Sequence, residues 1–383
     1  MNILITNGEW KSSLTCMRSF AKAGHSVSLL SFSPFTPHFH SKFCSERIIT
    51  PKEEQKEEYL KFILDLIRKK KYDLLVPMSY RVVRYFSELR HEILKHVKLI
   101  LPSEESVAIA GNKHRTYRLA MEIGVPIPGT YFPENLYDVE QLADRIDFPC
   151  LAKEPEECGG EGNTFIENRE ILRSTFQKLE SQKKWAVVQN YIIGKSCNFI
   201  GVCNNGKILN YFMFESLRRY PEKNGPTVYA RSFFHKKLLA HATTLAQKLS
   251  WTGPIEFEFF ISEDQRCFLI EINPRFPGPL QSAYSCGVDL RLTFVKLAKG
   301  ENDFLPPKPY KIGFIYRSVF PQEINSCREN NKYIFDFFVN FFRPHTCYDF
   351  SLLDPNLFWW QLKQSKWTLF PKDRENSKNI KEI

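Results

Sequence analysis

Hydrophobic and polar positions alternate most sharply between Gly253 and Gly278, GPIEFEFFISEDQRCFLIEINPRFPG. Two runs joined by the polar turn SEDQ predict a pair of β-strands, because successive side chains on a strand face opposite ways. Glu256 and Glu258 then share one face, and Ile255, Phe257 and Phe259 the other. On the second strand Glu271 and Asn273 lie opposite Ile270 and Ile272. If the strands pair, three carboxylates and an amide oxygen converge on one patch beside an apolar core.

Upstream, residues 1 to about 110 alternate between strand and helix patterns. The predicted strands are Asn2–Thr6, Ser26–Ser31, Asp73–Pro77 and Lys98–Leu101. The predicted helices run from about Ser12 to Ala23, Glu53 to Lys71 and Tyr80 to Lys95. Such alternation implies a parallel sheet covered on both faces. Ligands of these sheets bind at the carboxyl ends of the strands, which places Asn7, Gly8, Glu9 and Arg81 at a rim. There is no G-x-G-x-x-G, so a dinucleotide site is not expected.

A helix predicted over Lys113–Ile123 stops at Gly124, with Pro126 and Pro128 barring continuation. Phe148–Lys153 reads as a short strand, followed by a loop with Gly159, Gly160 and Gly162 and a second strand from Thr164. Glycines let a backbone approach a phosphate and aim its N–H groups at it. The alternative is a plain hairpin loop. A helix over about Asn168–Gln182 and a strand over Trp185–Tyr191 follow. Lys207–Glu215 and Thr227–Phe233 also read as strands, and His235–Leu249 as an amphipathic helix. The loop between those strands carries Arg218 and Arg219, and Arg231 lies beyond it. They are candidates for holding a phosphoryl group, or simply a solvated basic loop. Residues 301–383 are aromatic-rich and predicted to pack as an extension. Stacking platforms for bases are the less favoured reading.

Composition narrows the class. The 383 residues suffice for two or three packed units, and Phe is abundant at 33. No apolar run approaches the ~20 residues of a membrane span. The N-terminus lacks the basic start and cleavage site of a signal peptide. Ten cysteines without C-x-x-C spacing suggest reduced thiols and a cytoplasmic protein. The net charge of +10 is dispersed, so neither a nucleic-acid nor a membrane partner is expected.

Clustered carboxylates are unfavourable without a positive charge between them. A hard divalent cation resolves this, since Mg²⁺ takes one or two carboxylates plus phosphate oxygens. Arg275 follows Asn273 by two residues and carries a fork of donors suited to phosphate. A solvated acidic hairpin is the alternative, but it does not require E-x-N-P-R.

The phrase EINPRF, with the Glu of EFEFF thirteen residues earlier, resembles the metal-binding end of the ATP-grasp superfamily. The longer stretch EINPRFPGPLQSAYSCGVDLRLTFVKLAKGE is similar to its carboxylate–amine ligase branch, with D-aspartate ligase-like and carbamoyl-phosphate synthase-like members. The resemblance implies a mixed α/β and α+β chain. It would have a Rossmann-like pre-ATP-grasp domain (1–111), an ATP-grasp domain (112–300) with a lid at about 148–193, and a C-terminal extension (301–383). It further implies Glu258, Glu271 and Asn273 as ligands of Mg²⁺ or Mn²⁺. Lys113, Lys153 and the glycine loop would hold ATP phosphates. Gln189, Asn190 and Ile192 would lie at the adenine hinge, and Arg275, with Arg218 or Arg219, would steady developing charge. Asn7, Glu9, Arg81 and Arg231 would meet substrate. The family usually has a Glu where Ser196 stands, to bind ribose. The implied reaction joins a small-molecule carboxylate to an amine through an acyl phosphate, with a homodimer as the analogous assembly. Carboxyphosphate chemistry and a non-catalytic nucleotide-binding protein are the alternatives.

Overall fold

The computed structural model describes residues 1–155, 162–222 and 225–369. Its chain forms two compact units that interleave along the sequence. The first takes Met1–Leu101, Ser216–Phe233 and Arg275–Ile383; the second takes Pro102–Glu215 and Phe234–Pro274.

The first unit opens with five parallel strands: β1 (Asn2–Ile5), β2 (Ser26–Ser31), β3 (Glu46–Ile49), β4 (Leu74–Val76) and β5 (Lys98–Leu99), in the order β3-β2-β1-β4-β5. Ile3, Leu4 and Ile5 are completely buried, as a strand covered on both faces requires. The first two predicted helices form over Lys11–Lys22 and Lys56–Lys69; the third divides into Tyr80–Glu88 and Arg90–Leu94. At the end of β1 the chain turns sharply, with Asn7 at φ +50° and the Gly8 N–H donating to Leu30 O. A Cβ on Gly8 would lie 2.7 Å from Leu29 Cγ, so only glycine fits this close approach.

The second unit holds β6 (Thr130–Tyr131), β7 (Cys150–Lys153), β8 (Asn163–Ile166) and β9 (Val187–Asn190), ordered β6-β9-β7-β8 with antiparallel pairing. The helices Leu136–Ala143 and Arg169–Ser181 contribute Val139, Leu142, Leu172 and Phe176 to the apolar core of this sheet. β10 (Lys195–Asn204) and β11 (Lys207–Arg219) follow, the latter passing into the first unit at its end. The first unit then takes β12 (Thr227–Ser232). Back in the second unit, β13 (Gly253–Ile261) and β14 (Cys267–Asn273) complete an antiparallel set β14-β13-β10-β11. Phe199, Phe257 and Ile272 are buried on one face of it. Lys236–Lys248 packs on β10, and Glu104–Ala110 and Lys113–Glu122 pack on β14.

The remainder returns to the first unit. β15 (Ile315–Arg317) pairs antiparallel with β12, and β16 (Thr346–Tyr348) pairs parallel with β15. The extension is tied to the start of the chain by buried and partly buried polar links. Lys11 Nζ donates to Ser318 Oγ and Asp349 Oδ2, and Ser41 Oγ donates to Asp354 Oδ2 at 2.6 Å. Its aromatic residues Phe341, Tyr348, Phe350 and Phe358 pack on one another, whereas Phe335, Phe338 and Phe342 face outward. Among the described residues no helix is long and apolar enough to cross a membrane.

Candidate functional site

The second unit gathers the predicted acidic and amide groups on one sheet face. Glu258 pairs with Glu271, and Glu256 with Asn273, directly across β13 and β14. Opposed residues in an antiparallel pair have Cβ atoms about 5 Å apart and share a face. A β-bulge produces this arrangement. Phe259 pairs with Leu269, but Glu258 pairs with Glu271, leaving Ile270 as the extra residue. Unbroken alternation would have set Ile270 opposite Glu258 and turned Glu271 to the other face. The carbonyl of Ile270 instead accepts from Tyr117 Oη at 2.8 Å.

Two cations belong to the same neighbourhood. Lys153, at the end of β7, is 3% exposed. Its Nζ donates to Gln189 Oε1 at 2.6 Å and to Tyr117 Oη at 3.3 Å. Burial, reinforced by the positive charge of Lys113, lowers its pKa to about 8; Glu271 and Glu258 pull the other way. Lys113 is the first residue of its helix, whose N-cap Asn112 accepts from the Arg115 N–H. The Lys113 N–H donates to Pro155 O at 2.9 Å, and its side chain lines a small cleft with Thr116 and Glu271. Burial raises the Tyr117 hydroxyl pKa, with the charge of Glu271 adding to it.

The other predicted nucleotide residues are distributed around this core. Gln189 also donates through Nε2 to Thr130 Oγ1 at 2.9 Å, and the Asn190 N–H donates to Gly129 O at 2.8 Å. Ile192 is half-buried, and Ser196 Oγ donates to Glu258 Oε1 at 3.4 Å. Gly162 sits at φ +69° and its carbonyl accepts from the Glu154 N–H. Gly159 and Gly160 lie outside the described residues. Tyr117, Thr130 and Asn198 were not singled out by sequence reading, because their relevance depends on pairings remote along the chain.

Donor chemistry suits a hard cation. Among the described residues no three His, Cys, Asp or Glu side chains are placed to hold a metal alone. Two opposed carboxylates and an amide oxygen are the incomplete oxygen set that Mg²⁺ accepts when phosphate oxygens supply the rest.

The first unit holds the remaining predicted residues. At the carboxyl edge of its sheet, Asn7 Nδ2 and Ser79 Oγ donate to Glu53 Oε2 at 2.9 and 2.7 Å. Arg81 forms ion pairs with Glu53 and Glu54. Glu9 accepts from Ser31 Oγ at 2.7 Å; burial raises its pKa, and the charge of Glu53 adds to that shift. Arg275 lies with its guanidinium 5.5 Å from the centre of the Trp10 ring. Arg218 is buried, paired with Asp336 at 2.6 Å and Glu323 at 3.4 Å, and stacked 3.9 Å over Tyr333. These contacts join the end of β11 to Glu323, Tyr333 and Asp336 of the extension. Arg219 is half-buried at the end of β11, and Arg231 is exposed on β12.

A parallel α/β unit, together with a unit whose antiparallel sheet presents paired carboxylates, places this chain in the mixed α/β class with the ATP-grasp fold. Residues 110–279 match the family described as the ATP-grasp domain. Pyruvate carboxylases of Aspergillus terreus and Aspergillus niger are 25% identical over 189 residues. The match spans 45% of this chain and only 16% of those proteins. Among solved structures, the biotin carboxylase–β,γ-ATP complex from Campylobacter jejuni superposes with TM-score 0.69 at 18% identity, covering 82% of this chain and 74% of that one. The N5-carboxyaminoimidazole synthetase of Staphylococcus aureus gives 0.66 at 15% identity, covering 86% of each. The biotin carboxylase domain of Hydrogenobacter thermophilus 2-oxoglutarate carboxylase, a dimer bound to MgADP, gives 0.67 at 17%, covering 82% and 73%.

Proposed function

We propose that this chain is an ATP- and magnesium-dependent ligase joining a carboxylate to an amine. The observation that carries the reading is the Glu258–Glu271 pair set across the bulge, with buried Lys153 and Lys113 in the same unit. Glu258, Glu271 and Asn273 would hold Mg²⁺, which when bound neutralises triphosphate charge. Lys113 and Lys153 present ammonium donors to phosphate oxygens from a largely buried setting, where such contacts are strong.

In the first half-reaction a carboxylate oxygen attacks the γ-phosphorus of ATP, the bond to the β-bridging oxygen breaks, and ADP leaves. In the second, the amine nitrogen attacks the acyl carbon, the carbon–oxygen bond to phosphate breaks, and the nitrogen gives up a proton. Neither step needs a protein nucleophile; catalysis is positioning and charge neutralisation. An acyl phosphate hydrolyses readily, so exclusion of water is part of the task.

Bicarbonate is the second reading for the carboxylate, supported by the likeness to biotin carboxylases, one of them solved with bicarbonate. The test is release of ADP and phosphate by the purified protein with ATP and Mg²⁺ across a panel of amino acids, small acids and bicarbonate. ADP release requiring both an organic acid and an amine supports the amide-forming reaction. Release driven by bicarbonate selects the second reading, and release with none of them rejects both.

A further inference from the structure

One buried group on the carboxylate face has no role in the reading above. Asn198 on β10 pairs in register with Glu258 on β13, and Glu258 pairs with Glu271 on β14. The three side chains therefore stand in a row on one face. Asn198 is 3% exposed, and among the described residues its Nδ2 has no hydrogen-bond partner. Buried amide nitrogens almost always have one, and leaving one without is destabilising. On the same strand face, Ser196 already donates to Glu258.

We infer that Asn198 is a ligand-binding residue, its Nδ2 donating to an oxygen of the phosphate chain of a nucleotide seated on the Glu258–Glu271 face. The inference rests on the nucleotide reading proposed above. An N–H₂ donor cannot ligate a cation. It does complement the anionic oxygens that a cation on these carboxylates would draw in, and it adds no negative charge to a face that already carries three carboxylates. The donor is thus desolvated in advance, for a partner that arrives with the nucleotide. An unpaired buried donor of this kind costs stability, as functional sites often do.

The test measures ADP binding by calorimetry with Mg²⁺ present, alongside thermal unfolding without nucleotide, for wild type, Asn198→Leu and Asn198→Asp. Wild type is expected to bind. Asn198→Leu should unfold at the same or a higher temperature, since it removes an orphaned donor, yet bind MgADP about tenfold more weakly or worse. Asn198→Asp should also bind more weakly, because it places a fourth carboxylate against phosphate. Unchanged binding by Asn198→Leu, with or without a lower unfolding temperature, makes Asn198 merely structural and overturns the inference. Tighter binding by Asn198→Asp would overturn it by making this position an oxygen ligand of the metal. A wild type that binds no MgADP rejects the nucleotide reading itself, and this inference with it.

Discussion

Lys153 donates a 2.6 Å hydrogen bond to Gln189, and the two side chains are 3% and 1% exposed. An amide can accept from the ammonium but cannot neutralise it, so burial and Lys113 lower the lysine pKa to about 8. Below pH 8 the folded and unfolded chains both carry this proton. Between pH 8 and the ordinary lysine value of about 10.4, the folded chain has lost it and the unfolded chain retains it. Stability therefore rises with pH across that window, by up to about 3 kcal/mol. Lys153→Met should abolish this rise in urea unfolding measured from pH 7.5 to 10. A bound polyphosphate should also restore the proton, so ADP binding at pH 8.5 should take up protons, seen as a buffer-dependent heat.

Glu258→Gln and Glu271→Gln each remove one of two facing carboxylates while preserving shape. Loss of a like charge should leave the metal-free protein equally or more stable. Magnesium-dependent ADP binding should weaken by at least about tenfold in each, a change of about 1.4 kcal/mol. Titrating Mg²⁺ at fixed ADP would show it, and an unaltered magnesium requirement in both variants would refute the ligand assignment.

Arg317 and Glu323 form a fully buried ion pair in the first unit, Nη2 to Oε1 at 2.7 Å, with Nε donating to both carboxylate oxygens. Arg317→Met would leave Glu323 facing Arg218 at 3.4 Å. Breaking such a pair from one side costs roughly 3–5 kcal/mol. Denaturant unfolding should show that loss, and Arg317→Met with Glu323→Leu should recover part of it.

Glu9 is a carboxylate whose pKa is raised by burial and by Glu53, so its charged form is disfavoured in the fold. Stability linked to this group is present below the ordinary carboxylate pKa and is lost as pH rises through the higher folded value. Glu9→Gln should therefore be more stable than wild type at pH 7 to 8. The difference should close by about pH 4. An equal gap at both pH values would assign the effect to packing.

Much of the first unit was legible because its strands are short apolar runs separated by helices of amphipathic period. β1, β2 and β4 and the helices over Lys11–Lys22 and Lys56–Lys69 lie within a few residues of their predicted bounds. β3 escaped because it is an edge strand of four residues, ERII, with two exposed positions and little apolar signal. β10 escaped because its run, CNFIGVC, is buried nearly throughout and shows no alternation. The partners of Arg218 were hidden for a different reason: Glu323 and Asp336 lie 105 and 118 residues further along.

The sequence alone determined that two acidic, amphipathic strands would exist at residues 253–273, and which residue types they would carry. Local alternation of polar and apolar side chains is enough for that. Whether Glu271 would meet Glu258 was decided only in the folded sheet. The bulge at Ile270 reverses the facing of every later residue on β14, and it is held where the Tyr117 hydroxyl, far back in the chain, claims the freed carbonyl. Side-chain periodicity is a local property; register is settled by hydrogen bonds between segments that meet only after the chain has folded.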